Sequence, residues 1–569
     1  VAGGFLVTPN MAVPGFTNST AFQFAEDLSR VWGAHQVGFG ANFLHTKMNL
    51  QAVTRVPGVM TFSANNTGMG LGDFMTGRAA SFDQSNVTVY YFRQNFLASY
   101  LQDTWKASSR LTLNGGIRWE PSQSPWEKYG HVPHISQAAF DQGLRSTVFK
   151  NAPAGLAYPG DPGVPNNKSF TASQFLKFSP RAGLAWDPKG DGQMTVRAAY
   201  GLFFDYPGLF QYDNIKDSPP WASRVTLNNP AGGFANPWQG VPGGNPFPLT
   251  IGPDSTFSTS LTLVDIPLHL KMPYIHQWNL SIQRQIGSDW LASGNYLGNS
   301  VIHQLVTVEG NPAVYLPGAS CVLNGVTYTP CSSTSNTLQR RRLSLQNPAQ
   351  GQYYGNIFQV DDNGTRSYNA LLLSLQRRRS KGITVQGNYT WSHCIDDGTV
   401  ASFNTSRGPA DRRGLDRGNC ELDRRHNFNM STVYETPQFS NSMVRALGTG
   451  WQISGIVRVL SGPYLTVSSG LDNAFTATND QRPNLVLSNA YAPNKTNDVW
   501  LNPAAFAQPA LGTYGNAGWK SILSPGSITI NMGLTRKFRV REKQSIEFRA
   551  EAFNLPNHLN PGNPVLNLS

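Results

Sequence analysis

The sequence predicts an all-β chain. Its expected form is a transmembrane antiparallel up-and-down β-barrel wall, with long extracellular loops at one end and short periplasmic turns at the other. Three observations predict it. Hydrophobicity alternates with period two along spans such as Phe96 to Trp105, Leu111 to Glu120 and Trp451 to Leu460. These spans match the roughly 9–11 residues of a tilted membrane strand rather than the roughly 5–6 of a soluble one. Aromatic residues stand near the ends of the apolar faces, at Trp119, Tyr389, Trp391, Tyr434 and Trp451, where the two bilayer interfaces would lie. The connections alternate between very short and very long, the loop layout of a membrane barrel.

Taken in chain order, the first pattern runs from His35 to Lys47, with Val37, Phe39, Ala41 and Phe43 on one face. No strand is assigned before His35, and Met60 to Ala64 and Val87 to Phe92 are weaker patterns. Leu111, Leu113, Ile117 and Trp119 then alternate with Thr112, Asn114, Arg118 and Glu120. Trp278, Leu280 and Ile282 alternate with Asn279, Ser281 and Gln283. The clearest strand places Ile383, Val385, Tyr389 and Trp391 against Thr384, Gln386, Asn388 and Thr390. Trp451 to Val459 and Ile528 to Leu534 repeat the pattern. Successive side chains point to opposite faces of a strand, so each span has one apolar and one neutral-polar face.

The short connections are Lys106–Ser109, Pro188–Gly192, Gly287–Asp289 and Arg379–Gly382, with Pro437–Leu447 and Phe538–Lys543 slightly longer. Between them lie Pro121–Lys177, Pro207–Lys271, His303–Thr365, His393–Arg424 and Gly462–Gly526. This gives six hairpins from about Arg93 to Asn554, and two or three further strands towards the N-terminus.

Composition excludes other classes. Of 569 residues, Lys and Arg supply 45 and Asp and Glu 33, so only 14% are charged, against about 25% in an average soluble protein. Mean hydropathy is nevertheless −0.32, because Asn, Gln, Ser, Thr and Gly carry the polarity. No stretch supplies the roughly 20 apolar residues of a spanning helix. The opening Val1–Ala25 lacks the basic start of a signal peptide. The net charge of +12 is scattered, and its runs Arg340–Arg342 and Arg377–Arg379 sit in no nucleic-acid-binding motif, so no nucleic-acid partner is expected.

No nucleophile elbow, metalloprotease helix or phosphate loop is present, so no catalytic residue, metal or cofactor is assigned and no enzymatic activity is expected. Asp361–Asp362 and Asp396–Asp397 lack the ligand pattern of a calcium loop. Cys394 and Cys420 bracket one long loop, and Cys321 and Cys331 enclose the tip of another. Each pair reads as a disulfide of an oxidising compartment. The alternative for the first pair is a zinc site shared with His393 and His426. Arg118, Glu120, Arg197, Arg458, Glu547, Arg549 and Glu551 fall on polar faces, which in a membrane barrel must look into the lumen. Two readings of them stand: internal salt bridging or contact with something filling the lumen, and a substrate path.

Several stretches carry a resemblance. Tyr100–Trp105 with Leu111–Glu120, Phe178–Trp186, Val196–Asp205, Tyr389–Cys394, Asp423–Phe428 and Phe548–Asn554 resemble TonB-dependent outer-membrane receptors. Among these they are most similar to the Oar-like, carboxypeptidase-regulatory-like barrels. The resemblance implies a plugged barrel of 22 strands in the outer membrane of a Gram-negative bacterium. Its partners would be outer-membrane lipid, a plug domain, TonB and an extracellular ligand. The implied function is energy-coupled uptake of a bulky solute: an oligosaccharide, a peptide or a metal chelate. A surface adhesion or export barrel, or a passive porin-like channel, is the alternative. The chain departs from the family pattern in having no regulatory domain, no plug, no TonB box and no final aromatic-ended strand. Residues 1–569 are therefore expected to be a partial barrel domain, with edge strands near His35 and Phe553 that fail to pair.

Overall fold

A computed structural model describes residues 15–52, 55–63, 66–213, 215, 218–398, 408, 414–478, 481–496, 498–541 and 544–568. Fourteen long strands make one antiparallel wall. They are β1 (Phe16–Trp32), β2 (His35–Ala52), β3 (Thr88–Lys106), β4 (Leu111–Trp119), β5 (Phe178–Trp186), β6 (Met194–Phe204) and β7 (Tyr274–Ile286). They continue as β8 (Trp290–Glu309), β9 (Tyr354–Ser380), β10 (Ile383–Asp396), β11 (His426–Glu435), β12 (Trp451–Leu460), β13 (Ser527–Arg541) and β14 (Gln544–Ala552). Each pairs with its sequence neighbours, from Trp32 opposite His35 at one side to Arg541 opposite Gln544 at the other. Short strands Trp126–Glu127, Leu261–Asp265 and Gly418–Asn419 complete a sheet of 17.

The registers keep one face apolar across β10 to β13. Gly387, Met430, Val457 and Ile530 form one transverse row, and Tyr434, Ile453 and Leu534 another. The adjacent row on the opposite face reads Gln386, Ser431, Ile456 and Asn531. A one-residue slip would turn every apolar side chain to the polar face, so the pattern fixes the register.

Every β(odd)-to-β(even) connection lies at one end. One of its two-residue turns is Lys381–Gly382, between paired Ser380 and Ile383. Both residues have positive φ, 48° and 77°, as a two-residue hairpin turn of the mirror-image kind requires. A Cβ on Gly382 would drive into the Glu435 carbonyl. The β11–β12 connection carries a short helix, α1 (Ser442–Gly448). All the long connections lie at the other end.

Several expectations need correction. The first wall strand is β1, upstream of His35. Its outward positions read Phe22, Phe24, Glu26, Leu28, Arg30 and Trp32, and the two charges interrupt the apolar alternation. Val87–Phe92 is not a separate strand: Thr88–Phe92 is the upper end of β3, and Val87 lies just outside it. Met60–Ala64 corresponds to Val59–Thr61, which lies outside the wall in a three-stranded sheet with Ser81–Ser85 and Arg224–Asn228. The expected loop His303–Thr365 is partly strand, since β8 and β9 stay paired up to Glu309 and Phe358. Among the described residues, β1 pairs with β2 alone and β14 with β13 alone, so these two are the sheet edges: β14, ending at Ala552, is the edge expected near Phe553, whereas the other edge is β1 rather than a strand at His35.

Four of the long connections, β4–β5, β6–β7, β8–β9 and β12–β13, are packed. Val132, Phe170, Leu209, Tyr212, Ile266 and Leu270 bury themselves against Met48, Leu50, Tyr90 and Phe92 at the upper ends of β2 and β3. A second core joins Phe140, Phe149, Tyr158, Trp221, Leu343 and Tyr354, from three different connections. A third, Val467, Ala505, Phe506 and Ile522, receives Leu566 and Leu568 from the C-terminal segment. Together they form a crown above the wall.

Candidate functional site

The polar face of the wall and the underside of the crown are the candidate site. On β3 to β7 the polar face holds a groove of about 630 Å³ lined by Tyr100, Gln102, Asn114, Arg181, Gln277 and Asn279 among others. Gly116 and Gly201 flank Arg181 in the register and leave room for its guanidinium, which lies 4.4 Å from the Phe203 ring centroid. A Cβ on Gly201 would come within 2.8 Å of that ring, so the groove depends on this glycine. Sequence reading missed Arg181, although its parity with Gly183 and Ala185 places it on the polar face.

The predicted polar-face charges all take that face. Arg118 Nε donates to Glu120 Oε1 at 2.7 Å, and Ser179 Oγ donates to Glu120 Oε2 at 2.9 Å. Arg197 and Arg458 share the face, opposite Ser281 and Thr529, with no ion pair among the described residues. On β14, Arg549 lies 2.9 Å from Glu547 and 3.8 Å from Glu551, and Lys537 reaches Glu547 at 3.5 Å. The structure therefore gives Glu120 and the β14 ladder internal partners.

The aromatic positions fall at both ends of the wall. Trp119 closes the upper end of β4, and its Nε1 donates to the Phe175 carbonyl at 2.8 Å. Tyr389 and Trp391 stand in the upper part of β10, the hydroxyl of Tyr389 lying 2.8 Å from His426 Nδ1. Tyr434 and Trp451 stand at the lower ends of β11 and β12.

Cys321 is bonded to Cys331 across a tiny hairpin, with Cα atoms 5.0 Å apart, and Cys394 to Cys420, 5.3 Å apart. His393 and His426 take Asn419 and Tyr389 as partners instead of joining the two sulfurs. The acidic pairs are also engaged. Asp396 meets Arg366 at 2.9 Å, Asp397 meets Arg417 at 2.9 Å, and Asp362 accepts from the Lys271 amide at 2.6 Å.

The basic run Arg340–Arg342, which the sequence left unassigned, organises the crown. Arg340 is 1% exposed. It donates to Asn336 Oδ1 and to the carbonyls of Val314, Phe475 and Ser333, all at 2.8–2.9 Å. It thus ties the β8–β9 connection to the β12–β13 connection. Arg341 donates to Asn311 O and to Asn356 Oδ1 and lies 3.8 Å from buried Glu309. No local motif signals these roles, because the ties to Val314, Phe475 and Asn311 run to carbonyls distant in sequence.

A sequence model of the outer membrane beta-barrel domain matches residues 1–569. The chain belongs to this family of outer-membrane β-barrels. Its setting is accordingly the outer membrane of a Gram-negative bacterium. No curated protein sequence matches it. Among solved structures, the barrel is similar to the outer membrane transporter YddB of Escherichia coli, at 11% identity and a TM-score of 0.48, covering 96% of this chain and 51% of that one. It is also similar to the ferripyoverdine receptor of Pseudomonas aeruginosa, at 9% identity and a TM-score of 0.42, covering 96% and 45%. The siderophore receptor PirA of Acinetobacter baumannii gives 11% and 0.42, covering 95% and 51%. The barrel chain spans about half the length of these structures.

The burial of one carboxyl is expected to make the crown pH-sensitive. Asp265 is buried, accepts from Gln359 Nε2 at 3.2 Å, and burial pushes its pKa from 3.8 up to about 7. The unfolded carboxyl ionises near 4 while the folded one keeps its proton, so its contribution to stability is full below pH 4 and is lost as pH rises towards 7. Asp265→Asn is expected to remove this dependence, making crown amides exchange more slowly than in the native barrel at pH 8 but no more slowly at pH 4. Hydrogen exchange at the two pH values checks it. An equal effect at both would show that ionisation of Asp265 does not matter.

Proposed function

We propose that this barrel is the wall and receptor crown of a TonB-dependent transporter that takes up a bulky solute, an oligosaccharide, a peptide or a metal chelate, rather than an enzyme. The observation that carries the reading is the packed crown. Loops that bury their own hydrophobic cores and are cross-tied by Arg340 hold a fixed surface above the polar wall. A passive pore gains nothing from such a layer, whereas a receptor that must retain a large ligand does. The polar groove with Arg181, Gln277 and Asn279 then offers hydrogen-bond donors and acceptors below the crown. A plug domain and TonB are the partners this reading requires in the full-length protein.

Uptake by cells carrying the natural protein tests it. Accumulation of labelled oligosaccharides, peptides and chelates is measured with and without an uncoupler that collapses the inner-membrane proton gradient. Accumulation of one class against its gradient, abolished by the uncoupler, is the expected result. Equilibration indifferent to the uncoupler would overturn it in favour of a porin-like channel. Cell-surface retention without entry would favour the adhesion barrel.

A further inference from the structure

The β11–β12 connection differs from the other described turns at the lower end in carrying the helix α1. Its apolar side chains are turned outward: Met443 is 75% exposed, Val444 46% and Leu447 72%. They fall at i, i+1 and i+4, within one face about 100° wide. A stripe left in water would cost free energy roughly in proportion to its area, so its placement calls for an explanation.

The helix is fixed at both ends. Asn441 Oδ1 accepts from the Met443 and Val444 amides, capping its start. Arg445 donates to the carbonyls of Phe439 and Ser440, at 2.8 and 2.6 Å, folding the preceding chain against it. At the other end, Trp451 Nε1 donates to the Leu447 carbonyl at 2.7 Å. Arg536 donates to the same carbonyl at 3.0 Å and also to that of Ala446. A cation on the last carbonyls also opposes the negative end of the helix dipole.

These anchors decide which side the helix occupies. Trp451 and Arg536 are register partners on the apolar face of β12 and β13. The Arg536 guanidinium lies 5.3 Å from the Trp451 ring centroid and 4.7 Å from that of Phe538. Phe548 lies level with Arg536 on the same face, and Phe538, Val540 and Ile546 continue it below, all exposed. The stripe of α1 is therefore continuous with the lipid-facing surface of the barrel and lies at its lower rim.

We propose that α1 is an interfacial foot: it lies flat in the periplasmic leaflet of the outer membrane, with Met443, Val444 and Leu447 among the acyl chains and the Arg536 charge held against the last carbonyls of the helix. The occupant of the apolar stripe is lipid. A short amphipathic helix of this kind partitions into the headgroup–acyl boundary rather than crossing it. Trp451 stands at the depth where an indole prefers to sit. The foot fixes the vertical position of β11–β13 and acts independently of what the barrel transports.

Spin labelling of the full-length protein in phospholipid vesicles tests this. Single cysteines replace Met443, Leu447 and, as a control in the same connection, exposed Gln438; the native cysteines are held in disulfides. Labels at 443 and 447 are expected to collide more with oxygen than with a water-soluble nickel chelate, and the label at 438 the reverse. Chelate access at 443 and 447 equal to that at 438 would place the stripe in water and overturn the proposal. Low access to both reagents would mean that a protein surface covers it, and would overturn it equally. A second measurement guards against damage by the labels. Leu447→Trp fluorescence, read as the difference from the native protein, should be quenched more by brominated phospholipid than by aqueous iodide.

Discussion

Val457→Arg is expected to cripple assembly of the barrel, while Ile456→Arg beside it is tolerated. Val457 lies in the middle of β12, on the apolar face, between Met430 and Ile530. Arginine there must face the hydrocarbon core, at a cost of about 2–4 kcal/mol near the midplane. No neighbouring carboxylate in that row offsets the charge. Ile456 faces the other way, between Ser431 and Asn531, where a guanidinium can be hydrated. The measurement is the fraction of each variant that reaches the outer membrane in a heat-modifiable, folded form. Equal yields would show that the two faces are misassigned, since the substitutions are one residue apart and otherwise alike.

The second large effect is expected at Arg340. Replacing it with methionine keeps much of the volume but removes the donors that serve the Val314, Ser333 and Phe475 carbonyls, while Asn336 Oδ1 keeps the Ser333 amide. Buried acceptors left without donors cost about 1–3 kcal/mol each. The contributions overlap, so a loss of about 3–5 kcal/mol is expected, localised to the crown. Arg340→Lys should rescue little, because an ammonium cannot span acceptors arranged for a planar fork. Proteolysis should then cut within residues 310–353 and near Phe475, while the strands stay protected. Arg197→Met on the polar wall, where no ion pair is lost among the described residues, is the control and should leave the pattern unchanged. Unaltered protection in Arg340→Met would show that the crown does not depend on this side chain.

The wall was legible because its physics is local. Side chains alternate between lipid and a polar interior, and a sequence such as Ile383–Trp391 records that alternation directly. The same rule concealed β1, where Glu26 and Arg30 occupy outward positions opposite Ala41 and Val37. The parity of Arg118, Arg458 and Glu547 also followed from local pattern alone. Pairing of Cys394 with Cys420 was within reach because antiparallel strands bring the ends of their loop together. The crown was not legible. Its cores draw on residues such as Phe149, Trp221 and Tyr354, far apart in sequence, and on strands as short as His134–Ile135 that leave no periodic trace. Arg340 looked like part of a surface charge run, because burial of an arginine is set entirely by the carbonyls that surround it. The foot helix lay within a turn expected from Pro437 to Leu447, and its lipid side became visible only through Trp451 and Arg536.

The placement of the two disulfides bears on the order of biogenesis. Each links residues of a single excursion of the chain, Cys321 to Cys331 within one hairpin tip and Cys394 to Cys420 across one loop base. Neither joins two different loops. Oxidation in the periplasm can therefore precede insertion without lacing neighbouring hairpins together, and each loop can be threaded to the cell surface by itself. The Arg340 tie and the shared cores do connect different loops, and they form without covalent bonds. Assembly of the crown can therefore follow insertion of the wall, from segments delivered one at a time.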